Sequence, residues 1–462
     1  MGIQRTHYDL IIVGTGSGNS IPDARFDDKS IAIVEEGRFG GTCLNVGCIP
    51  TKMFVYPAEV IAQAQDATRL GVTFADPTVD LAEIQRRVFA AKIDPIAAGG
   101  EAYRRGDETP NIDVYGGHAH FVGERTLEVN GTEITADQIV LAAGSRPVIP
   151  AQIAASPVTV RTNEDIMRLD KLPEHLVIVG AGYIAMEFAH VFSRLGCRVT
   201  VLARSAAALR HLDDELVERF NRAARAQWDM RYGVEVAELA YDANGKIQLT
   251  LSDASVLSAD EVLVATGRVS NADRLNAAAG GLELAEGRLK VDAYGRCVGP
   301  GASGVWALGD VSNPVMLKHA ANAQARVIQH NLLYPDQPRP LLTAPVPAAV
   351  FTHPQIASVG LTEREARAQG LEIVTAVQEI GDVAYGWAMD EKLGVVKLVA
   401  DKATSVLIGA HILGPDAATL IQPLVTAMSF GIAMDSFARG QYWIHPALTE
   451  AVENAALKLC EG

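Results

Sequence analysis

Residues 8–20 read YDLIIVGTGSGNS, and residues 175–192 read HLVIVGAGYIAMEFAHVF. Both stretches share one pattern: an apolar, mostly β-branched run, then closely spaced glycines, then a helix-compatible segment. Each is followed by a second apolar run, at 30–36 and at 198–204. A strand, a glycine-rich turn, a helix and a second strand make up a βαβ unit. The pattern therefore predicts an α/β protein with two nested Rossmann-like dinucleotide-binding domains.

Two further apolar runs ending in glycine occur downstream, QIVLAAGSRP at 138–147 and EVLVATGRVSN at 261–271. Each is predicted to close one nucleotide-binding sheet, which makes the second unit an insertion within the first domain. A proline-rich stretch at 333–347 is a predicted linker, and antiparallel strands followed by helices are expected after it. The predicted segments are a first dinucleotide-binding domain at 1–148, a second at 149–268, a return to the first at 269–340 and a C-terminal α+β domain at 341–462.

The composition is that of a globular protein with several domains. The chain has 462 residues, 48% of them hydrophobic and 21% charged, and roughly 150 residues per domain predicts about three domains. A net charge of -15 without a sustained basic stretch argues against nucleic acid as a partner, because such a surface repels phosphate. Long apolar runs typical of membrane proteins are absent from the sequence. Five scattered cysteines are too few to hold a secreted scaffold together, so the cytoplasm is the expected location.

The first glycine turn contains Gly14 and Gly16, and Asn19, preceded by Gly18, takes the third position of the usual fingerprint. Glycines allow backbone N–H groups to approach a pyrophosphate closely. An acidic residue about twenty positions further on binds ribose hydroxyls in such sites, and Glu35 ends the next predicted strand. This combination favours an adenosine without a 2′-phosphate, as in FAD or NAD.

The second glycine turn contains Gly180 and Gly182. Where an NAD site would have its acid, the following strand ends in Ala203, and Arg204 and Arg210 come next. Guanidinium groups make charge-assisted, bidentate contacts with a 2′-phosphate. The second unit is therefore predicted to bind NADPH, with two solvated surface arginines as the alternative.

A pair of cysteines occurs in GGTCLNVGCIPTK at 40–52, where Cys43 and Cys48 are bracketed by glycines and begin a helix-compatible run. A helix N-terminus lowers the pKa of a thiol, and Gly47 and Pro50 give a backbone that tolerates a disulfide. A zinc site would need two more well-spaced ligands, and none is nearby, so no metal is predicted. The pair is predicted to be redox-active, with a purely structural role as the alternative.

Together these motifs resemble the class I pyridine nucleotide-disulfide oxidoreductases, which include glutathione reductase, dihydrolipoamide dehydrogenase and mercuric reductase. The resemblance also includes Gly267 in VATGR, Asp310 in VWALGDVSN, and His445 with Glu450 in YWIHPALTE. It extends from residue 8 to about residue 458. It implies an FAD domain, an NADPH domain and a C-terminal dimerisation domain in the segments given above.

The resemblance also implies the roles of individual residues. Cys43 corresponds to the interchange thiol that attacks the substrate and Cys48 to the thiol beside the flavin, while His445 corresponds to the acid/base, oriented by Glu450 and reaching into the site of a partner subunit. Further residues would lie at the cofactors. Glu35, Thr42 and Asp310 would contact FAD, and Lys52 and Glu187 would form an ion pair near the flavin N5. Tyr183 would cover the nicotinamide pocket.

Chemistry independently favours His445 as the acid/base. Thiol exchange needs a group with a pKa near neutrality that takes and returns a proton, and a histidine held by a carboxylate suits this role. Pro446 would fix the local turn. His353 is also followed by proline, and it is predicted to be structural.

The branch of the family is indicated by the coenzyme and by the C-terminus. Arg204 and Arg210 argue against the NAD-dependent dihydrolipoamide dehydrogenases. Mercuric reductases have a pair of redox residues near the C-terminus, whereas this sequence has Cys460 alone there. Glutathione reductase and a dihydrolipoamide dehydrogenase-like enzyme stay alternatives, as does a flavin-binding scaffold without turnover. Segments such as EIGDVAYGWAMD and ARGQYWIHPALTEAVENA are more narrowly similar to the mycothione reductases, which reduce the disulfide of a sugar-linked thiol. The aromatic candidates for contact with the sugar rings are Tyr385, Trp387 and Tyr442, with core packing as the alternative.

Overall fold

The first predicted strand, His7–Val13, lies in the middle of a sheet in the computed structural model, which describes residues 5–461. It pairs in parallel with Ile31–Glu35 on one side and with Thr132–Leu141 on the other. Ile12 and its neighbours along the strand are buried. Parallel strands that are covered on both faces read as nearly continuous apolar runs, and this is why the run at the start of the chain becomes a central strand.

Seven strands form this first sheet. Their order is Ile112–Gly116, Ile31–Glu35, His7–Val13, Thr132–Leu141, Thr126–Val129 and Ala119–Gly123, and Val305–Ala307 also pairs with Thr132–Leu141. The last two strands of the order are antiparallel additions. Two separate two-stranded antiparallel sheets belong to the same part of the chain. One pairs Ser145–Pro147 with Arg268–Ser270, and the other pairs Leu284–Ala285 with Arg288–Leu289.

The connection from the first strand to the second differs from our prediction of a helix. It contains only two short 3₁₀ turns, Gly18–Ser20 and Ala24–Phe26. Pro22 separates them, and proline lacks the N–H that a continuous helix needs. The guanidinium of Arg104, largely buried, donates instead to the side chain and carbonyl of Asn19, at 2.9 Å each, and to the carbonyl of Pro22 at 3.0 Å. An arginine thus binds backbone carbonyls of this loop.

The second nucleotide-binding sheet is parallel throughout. Its order is Asp229–Tyr232, Arg198–Ala203, His175–Val179 and Glu261–Val264. Here the connection after the glycine turn is the predicted α-helix, Tyr183–Arg194. A three-stranded antiparallel sheet follows from Val236–Tyr241, Ile247–Leu251 and Val256–Ala259.

The C-terminal part contains a five-stranded antiparallel sheet, as expected. Its order is Ala348–Val350, Gln355–Gly360, Leu407–Gly414, Val395–Asp401 and Ile373–Glu379. The last helix, Thr449–Glu461, packs on two of these strands, Ile373–Glu379 and Val395–Asp401, through an apolar face that includes Ala451 and Ala455.

The helices have the following bounds. The α-helices are Gly41–Asn45, Cys48–Asp66, Leu81–Gln85, Asp94–Arg105, Ala151–Ala154, Tyr183–Arg194, Asp214–Gln227, Lys318–Leu333, Glu363–Ala368, Ala384–Ala388, Ala417–Leu420, Gln422–Ser429, Met434–Arg439 and Thr449–Glu461, with a π-helical stretch at Arg86–Ile93. Further 3₁₀ turns are Ala67–Leu70, Ile166–Arg168, Asn271–Arg274, Gly309–Val311 and Ile380–Asp382. Between residues 5 and 461, no helix has both the length and the apolar character needed to cross a membrane.

The chain divides into two units. One contains the residues up to 50 together with 82–148 and 268–343, and the other contains 51–81, 149–267 and the residues from 344 onward. The predicted fold class, two Rossmann-like domains and a C-terminal α+β domain, is confirmed. The domain boundaries given in the sequence analysis, after residues 148, 268 and 340, remain predictions.

Candidate active site

The first glycine turn is shaped by close backbone approach. Gly14 has a φ of +98°, and a Cβ at this position would lie 2.3 Å from the carbonyl oxygen of Ala142. A Cβ at Gly41 would lie 2.7 Å from the Cα of Gly16. Side chains are excluded at these positions by sterics, so the turn exposes backbone where a pyrophosphate needs N–H donors.

Glu35 ends the second strand and turns its carboxylate toward this turn. Oε2 accepts from the backbone N–H of Thr15 at 2.9 Å and from its hydroxyl at 2.5 Å, and Oε1 accepts from the N–H of Gly37 at 2.9 Å. The carboxylate therefore lies beside the glycine turn, at the carboxyl end of the sheet where nucleotides bind in this fold. Thr42 is exposed on the short helix Gly41–Asn45.

Asp310 lies in the 3₁₀ turn Gly309–Val311, immediately after the last strand of the first sheet. Its Oδ2 accepts from the hydroxyl of Ser145 at 2.5 Å, and the same hydroxyl accepts from Nε of Arg268 at 2.9 Å. Gly267, just before that arginine, has a φ of +134°. Ser145 and Arg268 lie within the segments QIVLAAGSRP and VATGR, but neither was predicted as a site residue, because their contacts join residues far apart in the sequence.

The second glycine turn repeats the geometry of the first. Gly180 has a φ of +123°, and its Cβ would lie 2.3 Å from the carbonyl oxygen of Ala265. Gly182 precedes the twelve-residue helix Tyr183–Arg194, whose N-terminus has no side-chain cap. Among residues 5–461, no atom lies within 4 Å of the place that a Cβ at Gly182 would take, so packing within this part of the chain does not explain the glycine. An open backbone position before a helix N-terminus is the kind of place where phosphate groups bind.

The two predicted phosphate-binding arginines lie on the loop that follows strand Arg198–Ala203. Arg204 is 80% exposed and its Nε lies 3.6 Å from a carboxylate oxygen of Glu235. Arg210 is also exposed. The side chain of Asn221 holds the loop between them, because it accepts from the N–H of Ala208 at 2.8 Å and donates to its carbonyl at 3.1 Å.

Tyr183, the first residue of the helix, stacks on a residue that the sequence did not suggest. Its ring centroid lies 5.0 Å from that of His211, with a tilt of 43°. Burial raises the pKa of Tyr183 to about 12, so the phenol stays neutral. His211 follows directly after Arg210 in the sequence, which connects the arginine loop to the tyrosine.

Cys43 and Cys48 lie on either side of the break between helices Gly41–Asn45 and Cys48–Asp66, and no disulfide joins them in this structure. A Cβ at Gly47 would lie 3.1 Å from the Cα of Cys43, so glycine lets the chain turn back onto the first cysteine.

The hydrogen bond to the Cys48 sulfur, burial and the charge of Cys48 raise the pKa of the Cys43 thiol well above its usual range, against a smaller lowering by Lys318. The lowered thiol pKa that we predicted for the pair therefore does not apply to Cys43. In coupled pairs the two protons leave in separate steps.

Lys52 lies one turn after Cys48 on the same helix, and its ammonium is 2.6 Å from Oε2 of Glu187. The ammonium also lies 4.4 Å from the ring centroid of Phe351. The backbone N–H of Phe351 donates to the other oxygen of Glu187 at 3.1 Å. The pair is only partly exposed, and Phe351 contacts both of its members.

His445 lies at the edge of the C-terminal domain. Its Nδ1 is 2.6 Å from Oε1 of Glu450, and its side chain is 71% exposed. The His445–Pro446 peptide bond is cis. The carboxylate therefore fixes the ring and leaves Nε2 directed away from Glu450. Tyr385, Trp387 and Tyr442 are exposed in the chain, so the alternative that they are core aromatics is wrong.

Comparison with known proteins decides the family. The model for "Pyridine nucleotide-disulphide oxidoreductase" matches residues 8–325, and that for the dimerisation domain of these enzymes matches 346–456. This chain belongs to that family. It is a flavoprotein disulfide oxidoreductase with FAD and NADPH as its cofactors, and the two glycine turns and Glu35 fit such dinucleotides.

Similar proteins cover the whole length of the chain. Mycothione reductase of Mycobacterium tuberculosis is 53% identical, over 98% of this chain and 99% of that protein. Glutathione reductase of Burkholderia cepacia is 32% identical, over 97% and 98%. Among solved structures, the HOCl-induced flavoprotein disulfide reductase RclA from Escherichia coli has a TM-score of 0.84 at 26% identity, over 97% of this chain and 99% of that one.

Proposed function

We propose that the chain forms a homodimer in the cytoplasm that reduces mycothione, the disulfide of mycothiol, with NADPH. The observation that carries this proposal is the 53% identity over nearly the full length of a protein named mycothione reductase. The glutathione reductase is considerably more distant at 32%. The Cys43–Cys48 thiol pair and the His445–Glu450 pair supply the groups that such a reaction needs.

We assign the predicted segments accordingly. Residues 1–148 and 269–340 bind FAD through Gly14, Gly16, Glu35, Thr42 and Asp310, with Lys52 beside the flavin. Residues 149–268 bind NADPH through Gly180, Gly182, Tyr183, Arg204, Arg210 and Gly267. When bound, these cofactors supply a hydride and deliver two electrons to the Cys43–Cys48 disulfide. Residues 341–462 form the dimerisation domain.

The thiols carry out the second half of the reaction. Cys43 attacks one sulfur of the substrate disulfide, so that a mixed disulfide forms at Cys43 and one mycothiol leaves. Cys48 then attacks the sulfur of Cys43, which releases the second mycothiol and restores the Cys43–Cys48 disulfide. The sum is one disulfide, one NADPH and one proton converted to two thiols and NADP⁺.

The raised pKa of Cys43 explains why a base is required. A protonated thiol is a poor nucleophile, so Cys43 has to lose its proton as it attacks, and the leaving thiolate has to gain one. We assign both transfers to His445 of the partner subunit, with Glu450 holding the ring. The exposure of His445 in the single chain is consistent with a role in another subunit's site.

The substrate itself is tested by a panel of disulfides. Mycothione, glutathione disulfide, lipoamide and oxidised thioredoxin are each offered to the FAD-loaded enzyme with NADPH and, separately, with NADH. We expect the highest kcat/KM for mycothione with NADPH. Faster reduction of glutathione disulfide would favour the alternative branch, and no turnover of any disulfide would favour a flavin-binding scaffold.

Replacing His445 with alanine is expected to slow reoxidation of the reduced enzyme by mycothione by about 10²- to 10⁴-fold, the usual contribution of a positioned acid/base. Reduction of the flavin by NADPH should hardly change, because the protons in question belong to the thiols. Stopped-flow absorbance separates the two half-reactions. His7→Ala, at another exposed histidine, is the control; equal slowing of both half-reactions would mean that His445 only supports the architecture.

Arg204→Ala is expected to weaken NADPH binding by about tenfold, the low end for a hydrogen bond to a charged group because the side chain is largely exposed. NADH binding should not change. Fluorescence titration of the oxidised enzyme measures both dissociation constants. Arg222→Ala removes another exposed arginine that has a glutamate partner and should leave both constants unaltered. Equal weakening for NADH and NADPH would show that Arg204 does not contact the 2′-phosphate.

The dimer is expected to depend on apolar residues that the single chain leaves exposed in the dimerisation domain. Ile444 is 76% exposed beside His445, and a glutamate there would place a charge in the interface. Ile444→Glu should give a monomer by light scattering, with disulfide reduction lost. Val256→Glu, at an exposed valine of the segment 149–268, should remain dimeric. A fully active Ile444→Glu monomer would contradict the proposal.

A further inference from the structure

His353, predicted to be merely structural, lies between two carboxylates of helix Cys48–Asp66. Its Nδ1 is 3.1 and 3.2 Å from the two oxygens of Glu59, and its Nε2 is 2.9 Å from Oδ2 of Asp66. The carbonyl of His353 accepts from the side chain of Gln227 at 2.8 Å. Both ring nitrogens and the backbone are therefore held.

The surroundings favour a charged imidazolium. Burial alone would lower the pKa of His353, but the hydrogen bonds and charges of Glu59 and Asp66 raise it above its usual value. Burial opposes the ionisation of Glu59 as well, yet the same histidine lowers the pKa of that carboxyl. The three groups form a cation between two anions. Hydrogen bonds between charged groups are stronger than those between neutral groups.

A second histidine lies against this cluster. His190 is fully buried on helix Tyr183–Arg194, and its Nε2 is 3.9 Å from Glu59. Neither of its ring nitrogens has a hydrogen-bond partner among residues 5–461, and burial lowers its pKa to about 4, so it is neutral at pH 7. Arg194 lies one turn further along the helix, and its positive charge interacts favourably with the carboxylates of Asp66 and Glu59.

The cluster is connected to the ion pair at the other end of the same two helices. Lys52 and Glu59 lie on one helix, and Glu187 and His190 lie on the other. Phe351 precedes His353 by two residues and contacts both members of the Lys52–Glu187 pair, through its ring and its N–H. Only Thr352 separates Phe351 from His353 in the sequence, so a histidine held at both ring nitrogens limits how far the phenylalanine can move.

We propose that His353 is a positioning residue for the Lys52–Glu187 pair, which it holds in place through Phe351. The inference rests on the proposed role of that pair beside the flavin. A displacement of about 1 Å at a reacting site costs up to about 10²-fold in rate. The clamp therefore contributes to flavin reduction although His353 touches neither cofactor nor substrate.

The test uses the FAD-loaded dimer and anaerobic stopped-flow reduction by NADPH. His353→Gln removes the charge and keeps a donor, Phe351→Leu removes the ring, and the double variant combines both changes. We expect each single variant to reduce its flavin about 10- to 100-fold more slowly, with an unchanged dissociation constant for NADPH. The double variant should reduce its flavin no more slowly than the slower of the two single variants. The reason is that both changes disturb the same chain of contacts, from His353 through Phe351 to the Lys52–Glu187 pair. Independent, multiplying effects would overturn the proposal.

Two controls separate positioning from folding. His411→Gln alters another buried histidine, which bonds to the carbonyl of Leu361, and it should reduce its flavin at the wild-type rate. If His353→Gln does not fold, Glu59→Gln tests the same clamp and should slow flavin reduction in the same direction. Wild-type flavin reduction in both the His353 and the Glu59 variants would overturn the proposal.

Lys52→Met distinguishes this inference from the function on which it rests. If Lys52→Met slows flavin reduction and His353→Gln does not, the clamp has no positioning role and the proposed function stands. If Lys52→Met has no effect on flavin reduction, the pair has no role beside the flavin, and both assignments fail together.

Discussion

The break between helices Gly41–Asn45 and Cys48–Asp66 is the constraint on which the chemistry depends. Gly47 lets the chain turn back onto Cys43, because any Cβ there would collide with the backbone of the preceding helix. The turn brings the two sulfurs into hydrogen-bond contact, and this contact together with burial raises the pKa of the Cys43 thiol. Without this break, the motif would be one continuous helix, and the thiols would not meet.

The second of these helices carries a series of charges along its length. The helix begins at Cys48, and Lys52 follows one turn later. Glu59 lies in the second half of the helix, and Asp66 is its last residue. Each of the last three has a partner from distant sequence: Glu187 binds Lys52, and His353 binds both carboxylates. Ionic contacts of this kind are strong only where burial limits screening, and most of these groups are largely removed from water.

Much of the fold was predictable because its signals are local. The parallel strands are predictable from continuous apolar runs, and the two nucleotide-binding turns from the glycines that follow those runs. The prediction of a helix after the first turn was wrong, since Pro22 interrupts the segment and Arg104, some eighty positions away, binds its carbonyls. Contacts of His211, Phe351 and His353 were not predictable, because the fold alone brings their partners together.

The account predicts that electrons pass to the substrate through both sulfurs. The most direct measurement compares NADPH-dependent disulfide reduction by Cys43→Ser and Cys48→Ser, each loaded with FAD, and Cys460→Ser is the control. Both variants at the pair should bind FAD and lose turnover, while Cys460→Ser should retain it. Substantial turnover by either Cys43→Ser or Cys48→Ser would contradict the account.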